Sequence, residues 1–148
     1  MKVLICDTTA QQALDTIAAA GIEVVNRPDI TPDELMDAIP EYDCIVVRSR
    51  TKVREPLIDV ATNLKAIVRG GVGLDNIDVA YARSKGIQVL NTPTASTDAV
   101  AELTIGYLFA LARHIPQMTA SMRAGEWAKK SFKGSEVNGK TLGLIGAG

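Results

Sequence analysis

Short apolar runs alternate with stretches of helical periodicity along the first two thirds of the chain, and this rhythm predicts the architecture. Lys2 to Cys6, Glu23 to Val25, Cys44 to Val47, Ala66 to Val68 and Gln88 to Leu90 read as strands. The runs at 44–47 and 66–68 are continuous rather than alternating, as expected of strands covered by helices on both faces. Between them the pattern predicts helices at about 10–20, 32–39, 55–61 and 78–84. Thr31-Pro32-Asp33-Glu34 combines a capping Thr, a Pro at the first helical position and a Glu three residues after the cap, the start of a capping box. Gly21 and Gly86 are placed to end helices. Repeated strand-helix alternation implies a parallel sheet with helices on both faces. Residues 1–95 are therefore expected to form a doubly wound, flavodoxin-like α/β unit.

The following segment changes character. From Asp98 to Arg113 the apolar residues Val100, Leu103, Tyr107, Leu108 and Leu111 recur at helical spacing, while Ala101, Ile105, Phe109 and Ala110 cover the remaining faces. A helix that is apolar all round needs cover on all sides, and a domain of this size has little interior to offer. The expectation is that it packs against a second domain or another subunit. Pro116 ends or kinks it, and a shorter helix is predicted to about Gly125. Thr141 to Ile145 reads as a further strand.

Composition narrows the function classes. Sixteen Lys and Arg against seventeen Asp and Glu give a net charge of −1 over 148 residues, which excludes a broad cationic nucleic-acid surface. With 47% hydrophobic and 22% charged residues this is a folding sequence. No window approaches the ~18 apolar residues of a membrane span. The apolar run Val3–Cys6 meets Asp7 too early to be a signal peptide, so the expected location is cytoplasmic. Cys6 and Cys44 lie inside apolar runs and are expected to be reduced, buried thiols.

In open parallel sheets ligands bind beyond the carboxyl ends of the strands, so the residues just after each apolar run carry the chemistry. Arg48-Ser49-Arg50-Thr51-Lys52 follows the third strand; an extended chain there would bring Arg48, Arg50 and Lys52 to one face. Arg69-Gly70-Gly71-Val72-Gly73 follows the fourth, where glycines let backbone N–H groups approach an anion and Asn76-Ile77-Asp78 opens a helix. The two loops together predict a site for a small carboxylate or phosphate. Basic loops are often merely solvated and glycine turns merely turns, so the prediction depends on the two loops meeting in space. An acidic, Mg²⁺-binding phospho-acceptor site would need an Asp where Arg48 stands, and an FMN site would need a richer hydroxyl loop than Thr8-Thr9. Gly146-Ala147-Gly148, after the expected strand, begins the G-x-G-x-x-G pattern of a dinucleotide fold, whose third glycine and ribose-binding acid would lie further on.

Several motifs in fixed order resemble the D-isomer-specific 2-hydroxyacid dehydrogenases. They are Val46–Val53, Arg69–Asp78, Asn91-Thr92-Pro93-Thr94, Ala101-Glu102-Leu103-Thr104, Leu111–Gln117, Gly125-Glu126-Trp127 and Phe132–Gly146. The resemblance implies a substrate domain (1–95), followed by linker and dimerisation helices and the start of a truncated Rossmann domain (96–148). It implies a complete parent enzyme that oxidises a small 2-hydroxy acid with NAD, NADP staying open. The expected substrate is D-3-phosphoglycerate, giving 3-phosphohydroxypyruvate in the first step of serine biosynthesis. Glyoxylate, hydroxypyruvate or D-lactate are the alternatives, as is a non-catalytic anion-binding or dimerisation module.

On the matching positions, Arg48, Ser49 and Lys52 would face the substrate, its phosphate in this branch. The amides of Gly70, Gly71 and Val72 would take its carboxylate. Val72, Gly146 and Gly148 would lie on the cofactor side, and no metal is implied. Arg50 departs from the family pattern, where a small residue is common. The family's catalytic Arg, His and Glu are expected downstream of Gly148, so this chain alone is predicted to be inactive. His114 is expected to be structural, Lys129, Lys130 and Lys133 a solvated basic face, and a homodimer or homotetramer is expected through helix 98–113.

Overall fold

A computed structural model describes residues 1–146, so Gly148 lies outside the described residues. The chain divides between Ser96 and Thr97 into two compact units.

The first unit holds a five-stranded, all-parallel sheet: β1 (Lys2–Ile5), β2 (Glu23–Asn26), β3 (Cys44–Val47), β4 (Ala66–Arg69) and β5 (Gln88–Asn91). Its helices are α1 (Gln11–Ala19), α2 (Pro32–Ala38), α3 (Glu55–Val60) and α4 (Val79–Ser84), with a 3₁₀ turn at Ile39–Glu41. The strand order is β2-β1-β3-β4-β5. This is the doubly wound order of flavodoxin-like folds, in which the chain reverses its winding direction between β1 and β3. The flavodoxin-like expectation therefore holds.

Alternation along β1 builds both sides of the sheet. Leu4 and Cys6 enter the larger core with Leu35, Ile45, Leu57 and Ile67, while Val3 and Ile5 enter a smaller one with Leu14 and Cys44. Fully burying each such aliphatic side chain is worth about 1.5–3 kcal/mol, and these clusters fix the register that Ile45 shares with Leu4 and Ile67. The start of α2 is the expected capping box: Thr31 Oγ1 accepts the Glu34 N–H at 3.3 Å, and Glu34 Oε2 accepts the Thr31 N–H at 2.9 Å. Gly21 and Gly86 sit at φ +75° and +81°, the left-handed turns that end α1 and α4.

In the second unit α5 (Thr97–Ala112) and α6 (Ile115–Arg123) are joined through His114, which is left-handed at φ 52°. Gly134 packs against this joint. A Cβ there would stand 2.9 Å from the Ala112 carbonyl oxygen, and the neighbouring Ser135 N–H donates to that same oxygen at 2.8 Å. His114 is partly buried, its ring 6.1 Å from that of Phe132, which is the structural role expected of it. Thr141 to Ile145 does not form the expected strand. Leu142, Leu144 and Ile145 stand exposed, and among the described residues no neighbouring strand completes a ladder, without which an extended segment has no reason to become sheet.

Cys6 and Cys44 are free and buried, as expected. Burial pushes the Cys6 thiol from 9.0 up to about 12, the nearby Asp7 charge adding to the effect and Arg50 opposing it. Cys44 rises to about 11, again by burial first. A raised thiol pKa means that the folded state favours the protonated form. That stability is complete below the reference value of 9.0 and is lost as the pH climbs toward about 12. Both thiols should resist iodoacetamide at about pH 8 in the native chain and react in denaturant. The urea midpoint should fall steadily above pH 9.0; rapid native alkylation would contradict this burial.

Candidate functional site: the loops after β3 and β4

Parallel pairing of β3 with β4 delivers the two loops side by side at the carboxyl end of the sheet. The Gly70 N–H donates to the Val47 carbonyl at 2.9 Å, and Arg69 Nη2 donates to Ser49 Oγ at 3.2 Å. The buried Asn76, 1% exposed, completes the connection: its Nδ2 donates to the carbonyls of Arg48 and Thr51, both at 2.7 Å. Val53 then forms a parallel bridge with Ile77 and is fully buried. The loops at 48–52 and 69–73 therefore meet, as the sequence predicts.

The predicted alternation of the basic residues does not hold. Ser49 and Arg50 form a bend, after which Thr51 and Val53 are buried and Lys52 is exposed. Arg50 turns away toward the neighbouring loops, where its Nε donates to the buried Asp7 carboxylate at 3.2 Å. Its remaining bonds go to backbone carbonyls of Cys6, Pro28 and Ile30. Arg48 is held by its backbone, whose N–H donates to Asp7 Oδ2 at 2.6 Å, while its Nη1 reaches the Thr8 carbonyl at 3.3 Å. With both carboxylate oxygens occupied by these donors, Asp7 is not the open acidic ligand of a Mg²⁺ site. Among the described residues no cluster of His, Cys, Asp or Glu could hold a metal ion.

The glycine loop also differs from its expected role. The Gly70 and Gly71 N–H groups already donate within the chain, to Val47 O and Arg69 O, each at 2.9 Å. Of the three amides expected to take a carboxylate, Val72 is the one with no partner among the described residues. Val72 is 47% exposed, and its carbonyl is fixed by Asn91 Nδ2 at 2.6 Å. The glycines contribute space instead. At Gly71, φ 155°, a Cβ would overlap the Arg69 guanidinium, and at Gly70 it would lie 3.5 Å from the stem of Arg48.

Arg69 is the residue that the sequence pattern passed over. The sequence places it after the fourth strand, at the head of the glycine loop, without giving it a role, whereas in the structure it is the last residue of β4. In the structure it links the two loops, and its Nε is buried without a partner among the described residues. Arg48, Lys52 and Arg69 have no carboxylate partner among the described residues, unlike Arg50. Such a set attracts an anion, and each charge-assisted bond to one is worth about 1.5–3 kcal/mol. Of the residues expected to meet the cofactor, Val72 belongs to the first unit and Gly146, at φ 88°, to the second. By themselves they cannot hold a dinucleotide.

The model of the D-isomer specific 2-hydroxyacid dehydrogenase catalytic domain matches residues 3–141, and the chain belongs to this family. It is 56% identical over 124 residues to hydroxypyruvate reductase of Thermotoga maritima, covering 84% of this chain and 40% of that protein. It is 49% identical over its whole length to D-3-phosphoglycerate dehydrogenase of Methanocaldococcus jannaschii, covering 28% of that protein. The chain thus spans well under half the length of these relatives. Among solved structures, NAD⁺-bound 3-phosphoglycerate dehydrogenase of Entamoeba histolytica superposes with a TM-score of 0.67 at 33% identity, over 76% of this chain and 39% of that one. An acyclic imino acid reductase, Bsp5, in complex with NADPH and D-Arg gives 0.86 at 28% identity, over 99% and 48%.

Gly71→Ala should act on the site and on the fold together, because a Cβ would displace the Arg69 guanidinium and φ 155° is a backbone conformation that L side chains rarely adopt. Phosphate affinity should fall about tenfold, the worth of one lost charge-assisted bond, and the thermal midpoint should fall as well through the strained backbone. Calorimetry beside a thermal melt reads both, and unaltered affinity would remove Arg69 from the site.

Proposed function

We propose that this chain is the substrate-recognition part of an NAD-dependent D-2-hydroxyacid dehydrogenase that oxidises D-3-phosphoglycerate to 3-phosphohydroxypyruvate, the first step of serine biosynthesis. The observation that carries the reading is the Arg69–Ser49 hydrogen bond, which draws a second loop cation to the basic loop at the end of β3. Arg48, Ser49, Lys52 and Arg69 would bind the phosphate, and the free Val72 N–H the carboxylate. The relatives named phosphoglycerate dehydrogenase, matched over the whole chain, support this substrate; hydroxypyruvate, which lacks the phosphate, is the rival.

In the complete enzyme hydride would pass between the alcohol carbon and the nicotinamide of NAD, or of NADP, beside Val72. The general acid–base His would come from outside these residues. We further propose a cytoplasmic homo-oligomer assembled through α5, on which Leu103, Tyr107 and Leu111 stand more than half exposed. Among the described residues no helix is long and apolar enough to cross a membrane.

Calorimetry separates the substrates. D-3-phosphoglycerate should bind at least tenfold more tightly than D-glycerate, and Lys52→Ala should remove about tenfold of that preference. Equal affinity for the two acids would transfer the reading to an unphosphorylated substrate. The chain alone should form no NADH from 3-phosphoglycerate, and light scattering should return more than the monomer mass.

A further inference from the structure

Arg50 belongs by sequence to the basic loop, yet the structure spends it elsewhere. Its guanidinium reaches from the loop after β3 across the end of β1 to the loop after β2. On the way it donates to Cys6 O, Pro28 O and, at 3.1 Å, Ile30 O. Its one carboxylate partner, Asp7, has a side chain only 6% exposed, whereas that of Arg50 is 51% exposed. The other oxygen of the same carboxylate accepts the Arg48 N–H at 2.6 Å. One buried anion therefore couples the anchoring of Arg50 to the backbone position of Arg48.

We propose that Arg50 is a positioning residue for the anion site: fixed on Asp7, its guanidinium splints the loops after β1, β2 and β3 and holds Arg48 and Ser49 toward the glycine loop. The proposal rests on the anion-binding reading of that site. To become a ligand itself, Arg50 would have to abandon carbonyls on two other loops and strip a buried carboxylate of its counter-charge. The planar, many-donor guanidinium suits this task, and a lysine ammonium, a compact point charge, does not.

The splint also bears on where a ligand can sit. In this strand order the usual ligand crevice opens between β1 and β3. Here Arg50 crosses that point, and the depression beside it, about 310 Å³, is lined by Arg48 and Ser49 as well as by Asp7, Thr8, Pro28 and Asp29. Arg48, Lys52 and Arg69, which have no carboxylate partner among the described residues, lie on the β3 and β4 loops, Arg48 lining this same depression. What sets Arg50 apart from Arg48 there is that its donors are taken up by Asp7 and by the loop carbonyls.

The test uses this chain, titrated calorimetrically with D-3-phosphoglycerate and with inorganic phosphate at two or more salt concentrations. Arg50→Met and Arg50→Lys should each weaken binding about five- to tenfold, roughly the value of one hydrogen bond to a charged group. The dependence of affinity on salt should stay that of the wild type, because the cations meeting the anion are unchanged. Wild-type affinity in Arg50→Lys, with a weaker salt dependence in Arg50→Met, would make Arg50 a direct ligand and overturn the proposal. Unchanged affinity in both variants, with only the melting temperature lowered, would reduce it to a stabiliser of the fold. Should Arg50→Met fail to fold, Arg50→Lys keeps the charge, removes the fork and carries the comparison. A wild-type chain that binds neither anion would sink the anion-site reading itself, whereas binding indifferent to Arg50 sinks this proposal alone.

Discussion

The site depends on what happens to two backbone carbonyls. After β3 the chain leaves the sheet, and the carbonyls of Arg48 and Thr51 lose their ladder partners; buried, each would cost about as much as a lost hydrogen bond. The Asn76 carboxamide supplies both donors at 2.7 Å from a side chain that is 1% exposed. An apolar residue could fill the space, but it would leave both oxygens unsatisfied. The bend at Ser49-Arg50, and with it the outward direction of the basic side chains, is thus set from the neighbouring loop. The Val53–Ile77 bridge continues the same connection by main chain alone.

On this frame the charges divide into two groups. Asp7 is almost wholly buried and would be unstable as an isolated anion; the Arg48 N–H and the Arg50 guanidinium compensate it. That pair is electrically closed. Arg48, Lys52 and Arg69 carry charge without a carboxylate partner among the described residues, and so keep their donors available to an anion although the whole chain is near neutral. Net charge speaks to nonspecific surfaces, and a small-anion site needs only this local imbalance. The same geometry keeps the glycine loop close: bulk at Gly71 would press on Arg69, the side chain that joins the two loops.

Much of this was legible in the chain itself. Every strand of the sheet falls within about a residue of its expected bounds, because short apolar runs closed by Gly, Pro or a cap admit few alternatives. The meeting of the two loops was legible too, since consecutive strands in a parallel sheet are often neighbours. The direction of Arg50 was not: its acceptors lie 20 to 44 residues away, and local spacing is blind to carbonyls on other loops. The glycine amides misled for a similar reason, as glycine permits a turn without stating which N–H groups the turn consumes. Thr141 to Ile145 has a strand's pattern, but pairing decides a strand, and a local pattern carries no information about an absent neighbour.

The second unit presents the opposite problem, a surface too apolar for the work its own residues give it. No residue of α5 is buried, and Val100, Leu103, Tyr107 and Leu111 are each more than half exposed. A helix of this length holds its shape in water mainly through packing of an apolar face, and here apolar side chains occupy every face. Ending the helix at a left-handed His114 and bracing that turn with Gly134 fixes its end but covers none of its length. A contiguous apolar patch of that kind marks a surface made to be covered. The proposal of a second copy as the cover follows from economy: one helix facing its own symmetry mate meets an equally apolar surface, and an isologous contact doubles every favourable pair.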